Sequence, residues 1–183
     1  MSDIGKLGLK LLTLAAIGGL ALGATNAITK GPIAEQAVAT AAAARQTVLP
    51  EAVDFQLVAE ADGDVTEIYQ GLTASGETAG YTAKTTVQGF GGPIEVTIGV
   101  NSDGTVTGAN VGGTDFSETA GLGAKTKDPA FYDQFAGKTG PFELRKNGGE
   151  IDAVTSATIS STAVKNGVNT VYAYLTNLIK EGN

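Results

Sequence analysis

The residues best placed to do chemistry are Asp152-Ala153-Val154-Thr155-Ser156-Ala157-Thr158, three hydroxyls and a carboxylate directly ahead of a helical pattern. By residue type alone, such side chains open a helix. Short oxygen-bearing groups accept hydrogen bonds from the unpaired N–H groups of a first turn. Two glycine-rich runs accompany them, Gly89-Phe90-Gly91-Gly92-Pro93-Ile94 and Glu118-Thr119-Ala120-Gly121-Leu122-Gly123. By type each is a turn, and glycine also lets the backbone approach a neighbour closely. What is missing narrows the chemistry. The chain has no Cys and no His. That excludes iron–sulfur clusters, thiolate zinc sites, dithiol redox pairs, Ser-His-Asp triads and His-ligated haem. Redox chemistry here needs an organic cofactor, or a metal held by oxygen ligands.

These segments need elements to position them. Val164, Val168, Val171, Leu175 and Leu178 recur at spacings of three and four, which predicts a C-terminal helix with one apolar face, capped by Ser160 or Ser161. Ile94, Val96, Ile98 and Val100 alternate with other residues and predict a strand. The turn Asn101-Ser102-Asp103-Gly104 should send Thr105 to Val111 back as its hairpin partner. Further strands are expected at Phe55, Leu57 and Ala59, at 65–73 and at 80–87. A short helix is expected from Pro129 to Phe135 with Asp128 as its cap. The expected fold class is α+β, a mostly antiparallel sheet packed with helices and preceded by an N-terminal transmembrane helix. Apolar residues make up 42% of 183, enough to bury a core without metals or disulfides.

Leu11 to Ile28 carries no charge and would span roughly 27 Å as a helix, close to a bilayer's hydrocarbon thickness. Lys6 and Lys10 precede it, which favours a cytoplasmic N-terminus, while Lys30 beyond it pulls slightly the other way. A basic start and an apolar middle also describe a cleaved signal peptide. Ala15, Gly19 and Gly23 recur every four residues. They form either a face for a second transmembrane helix or the ordinary composition of such segments. Pro32 to Leu49 is Ala-rich, with Pro32 suited to a first turn and Pro50 to a stop. The expected division is therefore an anchor at 1–30, a connecting helix at 31–50 and a folded domain at 51–183. Charge follows the same division. Lys6, Lys10 and Lys30 against Asp3 give +2, which leaves −9 of the net −7 on the other 153 residues. An acidic body of this kind argues against nucleic-acid binding.

Asp152 to Thr158 also resembles the flavin-attachment signature of the FMN-binding domain family: Asp, two variable residues, Ser or Thr, Gly or Ser, Ala, then Thr. The run from Glu118 to Gly123 resembles the family's ETPGLG loop, with Ala120 in place of Pro. Gly89 to Ile94 resembles its GYGGPI segment, with Phe90 for Tyr, and Thr25 to Lys30 resembles the end of its membrane anchor. The resemblance implies FMN bonded through a phosphodiester to Thr158, placed there by a flavin transferase. It implies a cofactor site of Thr158, Asp152, Thr155, Ser156 and Ala157 together with Glu118, Thr119, Gly121, Leu122 and Gly123. In this reading Gly121 and Gly123 let the backbone approach the flavin and Leu122 packs on its ring. Asp152 either holds the loop or is read by the modifying enzyme with a metal ion.

Taken over its whole length, the chain is most similar to the G subunits of Rnf-type electron-transport complexes. The C subunits of sodium-pumping NADH:quinone reductases are the near alternative. This implies an electron relay in a ferredoxin:NAD oxidoreductase complex coupled to ion transport, with other membrane subunits as partners. The place implied is the inner or plasma membrane, single-pass, with the folded domain outside the cytoplasm. No catalytic side chain and no metal site are expected. The alternative from another class is an anchored structural or ligand-binding module whose motif only caps a helix.

Overall fold

The structure, a computed structural model, describes residues 3–181. Five strands form one antiparallel sheet in sequence order: β1 (Asp54–Asp62), β2 (Val65–Leu72), β3 (Thr78–Gln88), β4 (Pro93–Asn101) and β5 (Val106–Gly112). Short turns allow this meander, because antiparallel neighbours need no crossover. The turn between β4 and β5 shows the local cause. Asn101 and Asp103 both accept the Thr105 N–H through their Oδ1 atoms, at 2.9 and 2.8 Å, and Gly104 takes φ +87°. Among the described residues there are three α-helices, α1 (Asp3–Val48), α2 (Pro129–Tyr132) and α3 (Thr158–Glu181), besides short 3-10 turns.

The main core lies between α3 and one sheet face. Val164, Val168, Val171 and Leu175 of α3 are buried with Ile94, Val96, Ile98 and Val100 of β4; Leu178 is only partly buried at the helix end. Gly167 lets α3 lie close, since a Cβ there would sit 3.1 Å from both Val87 and Val96. Beyond the sheet, Phe131, Phe135, Phe142 and Tyr172 pack edge to face with centroids 6.1, 5.2 and 5.8 Å apart. Asn169 of α3 ties this aromatic segment down. It accepts the Phe142 N–H at 2.7 Å and donates to the Phe142 carbonyl at 2.9 Å.

The chain divides into two compact units, Met1–Ala41 and Ala42–Asn183. In the first, α1 is long and apolar enough to cross a membrane by length and composition. In the second, the last residues of α1 dock on glycines of the sheet. A Cβ on Gly99 would lie 2.2 Å from the Val48 carbonyl oxygen, and one on Gly108 would lie 3.0 Å from the Val48 Cα. Thr107 donates its hydroxyl to that same carbonyl. Leu49, Ala52, Ala79 and Phe55 form a small second core.

Three expectations need correction. Pro32 does not start a helix: it lies inside α1, which runs on without the break expected near residue 30. Proline removes one backbone donor, but the Ala-rich sequence on its C-terminal side favours helix strongly enough to continue. Phe55, Leu57 and Ala59 do not share one inward face. A register shift between Leu57 and Ala59 divides them, so that Phe55 packs in the small second core, Ala59 packs against the main core, and Leu57 stays exposed on the edge strand. Asp128 occupies the expected cap position of α2, but its side chain makes no capping bond. Its backbone carbonyl instead accepts the Phe131 and Tyr132 N–H groups at 2.9 and 3.3 Å.

Candidate functional site

The start of α3 is shaped by a tight turn. The Ala157 N–H donates to the Val154 carbonyl at 3.0 Å, and Ser156 takes φ +63°. This left-handed conformation is uncommon for a residue with a Cβ, and Ser tolerates it at a cost of about 1–2 kcal/mol relative to an ordinary conformation. Thr158 is the first residue of the helix rather than a residue ahead of it. Ser160 and Ser161 therefore lie within the first turn and do not cap it. The Ser161 hydroxyl accepts the Val154 N–H at 3.0 Å and donates to the Ala157 carbonyl at 2.9 Å, locking the turn to the helix. The N–H groups of Thr158, Ile159 and Ser160 have no acceptor among the described residues. These are the orphan donors of a helix N-terminus, and they carry its partial positive charge.

Glu118 faces this turn from a loop 42 residues away. It is only 9% exposed. Its Oε2 accepts the Ser160 hydroxyl at 2.8 Å, and its Oε1 accepts the Gly91 N–H at 3.0 Å. Ser117 donates its hydroxyl to the Gly91 carbonyl at 3.0 Å, and Gly89 closes its own turn by donating to the Gly92 carbonyl at 2.9 Å. The glycines around the carboxylate leave it room. A Cβ on Gly89 would lie 2.2 Å from Oε1, and one on Gly123 would lie 2.0 Å from Oε2. Gly123 thus makes space for Glu118 and Ser160. Gly121 takes φ +77° with open space around it.

Between these segments lies a cleft of about 310 Å³, lined by Phe90, Glu118, Thr119, Leu122, Gly123 and the run from Ser156 to Ser160. Large apolar side chains stand exposed around it: Phe90 at 69%, Ile159 at 59% and Leu122 at 40%. Exposed apolar groups gathered on a cleft mark a surface built for an apolar ligand. Of the residues expected at the site, Glu118, Thr119, Leu122, Gly123, Ser156, Ala157 and Thr158 line the cleft; Asp152, Thr155 and Gly121 do not. Phe90, Ile159 and Ser160 line it without having been expected there, although Phe90 stands in the Gly89–Ile94 run and Ser160 was expected as a cap of α3. Asp152 faces elsewhere. Arg145 grips it in two places, Nε to Oδ1 at 2.5 Å and Nη2 to Oδ2 at 3.0 Å. Gln134 accepts the Asp152 N–H at 2.7 Å and donates to its carbonyl at 3.1 Å. The Arg145 hydrogen bonds hold the Asp152 carboxyl below the usual carboxylate range. Asp152 thus anchors the loop that presents Thr158.

Residues 89–173 match the FMN-binding domain. The chain is 38% identical to the G subunit of the Na(+)-translocating ferredoxin:NAD(+) oxidoreductase complex of Acetobacterium woodii, across 96% of this chain and 93% of that protein. It is 33% identical to the G subunit of the ion-translocating oxidoreductase complex of Methanosarcina acetivorans, across 94% of this chain and 95% of that protein. Two crystal structures are similar in fold. The C subunit of the Na(+)-translocating NADH-quinone reductase from Parabacteroides distasonis gives a TM-score of 0.50 at 23% identity over 61% of each chain. NqrC from Shewanella oneidensis gives 0.51 at 18% identity over 72% of this chain and 73% of that one. The matched window runs from the Gly89 turn into α3 and so contains the whole cleft. The chain belongs to the family of G subunits of ion-translocating oxidoreductase complexes, built on an FMN-binding domain.

Proposed function

We propose that this protein is the flavin-carrying electron relay of a membrane ferredoxin:NAD oxidoreductase complex coupled to ion transport, and that FMN is bonded to Thr158. The observation that carries the proposal is the meeting of two unlike surfaces at Thr158. One is an apolar cleft edged by Phe90, Leu122 and Ile159, suited to a flat heteroaromatic ring. The other is a helix N-terminus with three unpaired N–H groups, suited to a phosphate. FMN has both parts, joined by a flexible ribityl chain, so the residues present fit the group.

Attachment is a phosphoryl transfer. The Thr158 oxygen bonds to the FMN phosphorus of FAD, the pyrophosphate P–O bond breaks, AMP leaves, and the hydroxyl proton passes to the transferase or solvent. The product is a phosphodiester with one negative charge beside the α3 N-terminus. The bound flavin supplies the electron-accepting and electron-donating chemistry; the chain binds and orients it. A tether keeps the local flavin concentration high even where the cleft stays open to a partner. The partners are the other membrane subunits of the complex and the flavin transferase.

Residues 1–30 are proposed as a single-pass anchor in the inner or plasma membrane, with the folded domain outside the cytoplasm. The bases are the charge-free run from Leu11 to Ile28 and the lysines ahead of it. The proposal is tested by co-expressing the chain with a flavin transferase and running a denaturing gel under ultraviolet light. A fluorescent band in the wild type that is lost in Thr158→Ala supports it. A wild type without fluorescence, or a variant that keeps it, refutes it.

A further inference from the structure

The three exposed apolar residues of the cleft stand on three separate segments. Phe90 is on the Gly89–Gly92 turn, Leu122 on the loop that follows Glu118, and Ile159 on the first turn of α3. One side chain ties all three together. Glu118 belongs to the second segment, accepts the Gly91 N–H of the first and accepts the Ser160 hydroxyl of the third. It is also, among the described residues, the only charged side chain that lines the cleft. We propose that Glu118 is the positioning residue of this cleft: its buried carboxylate straps the three apolar walls at a fixed spacing, and its charge holds down the reduction potential of the flavin between them. The inference rests on the reading that FMN occupies this cleft.

The physical basis of the strap is its position. Each carboxylate oxygen accepts from a different segment, so Glu118 works through the segments it holds. Hydrogen bonds to a charged group are stronger than neutral ones, which suits a tie between parts far apart in sequence. The glycines at 89 and 123 exist to admit it, since a Cβ at either would strike a carboxylate oxygen. The electrostatic part follows from charge alone. A flavin gains electrons on reduction, and a fixed negative charge in a low-dielectric wall opposes that gain.

Two variants of the full chain, loaded with FMN by the transferase in detergent, separate the two roles. Glu118→Gln keeps the shape: its amide oxygen can accept from Gly91 and its amide nitrogen can meet Ser160, but the charge is gone. The ratio of reduced to oxidised flavin at a fixed poise should rise about tenfold, which for a two-electron couple is about 30 mV upward. Quenching of flavin fluorescence by iodide should stay as in the wild type. Glu118→Ala removes the strap as well, and iodide quenching should rise at least about twofold as the walls separate.

An unchanged or lowered potential in Glu118→Gln would overturn the electrostatic role. Unchanged quenching in Glu118→Ala would overturn the strap. If Glu118→Ala fails to fold, quenching is read in Ser160→Ala, which cuts one arm only and should show a smaller rise; no rise there overturns the strap. Intact mass is measured first. A wild type without covalent flavin defeats the underlying reading and this inference with it, whereas loaded protein with unaltered potential and quenching defeats this inference alone.

Discussion

Gly123→Ala tests the packing around Glu118 most severely. The added Cβ would lie 2.0 Å from Glu118 Oε2 and 2.7 Å from Ser160 Oγ. A carbon and an oxygen in contact need about 3.3 Å, so the carboxylate must retreat by about 1.3 Å. A flexible side chain would do so at little cost, but Glu118 is not free to move. Its other oxygen is held by the Gly91 N–H, and Gly89 closes over it. Either the Ser160 bond breaks or the loop shifts. Overpacking costs about 1–3 kcal/mol and a lost hydrogen bond to a charged group about 1.5–3 kcal/mol. The two overlap, so the expected destabilisation is about 2–4 kcal/mol, a fall of about 5–12 °C in Tm for a chain of this size. Gly121→Ala is the internal control. Its φ of +77° makes a Cβ strained, but nothing lies within 4 Å, so about 1–2 kcal/mol is expected. Urea unfolding of both variants in detergent reads the difference. A Gly123→Ala no less stable than Gly121→Ala would refute the claim that Gly123 makes room for a fixed carboxylate.

Other perturbations probe the surroundings. Ser156 at φ +63° should accept glycine, with stability unchanged or raised by about 0.5 kcal/mol, whereas Ser156→Val should lose about 1–2 kcal/mol; thermal melts of the two variants give the comparison. Asn169→Ala strips both the N–H and the carbonyl of Phe142 of their partner and should cost about 2–4 kcal/mol by chemical denaturation. Asp152 is held below the usual carboxylate range by Arg145, so its folded form releases its proton more readily than its unfolded form. Its stabilising effect is therefore complete above the ordinary aspartate range and is lost as the pH falls through the depressed folded value. Tm measured from pH 7 downward should fall less steeply in Asp152→Asn than in the wild type over that acidic window. Identical slopes would exclude the ion pair as a contributor.

Much of this site was legible as local strings. The hydroxyl-rich run before an apolar periodicity marked the start of α3, and the period-2 pattern of Ile94 to Val100 marked the central strand of the core. What escaped was whatever depends on distant partners or on backbone geometry. Nothing near Glu118 in sequence announces that its oxygens serve Gly91 and Ser160, 27 and 42 residues away. The glycines at 89 and 123 look like flexible turns until the carboxylate they accommodate is in place. Asp152 sits inside a motif whose last residues line the cleft, yet Arg145 turns it outward. Phe55, Leu57 and Ala59 ended on no common face because a bulge is a property of strand pairing, and Pro32 failed to break α1 because one missing donor is a smaller effect than its helix-forming neighbours.

The central claim is that Thr158 carries the flavin, and peptide mapping by mass spectrometry tests it most directly. After co-expression with a flavin transferase, the peptide containing Thr158 should gain the mass of FMN less one water, and fragmentation should place that mass on Thr158 rather than on Thr155, Ser156, Ser160 or Ser161. A Thr158 peptide of unmodified mass, or the added mass on one of those four neighbours, would contradict the account.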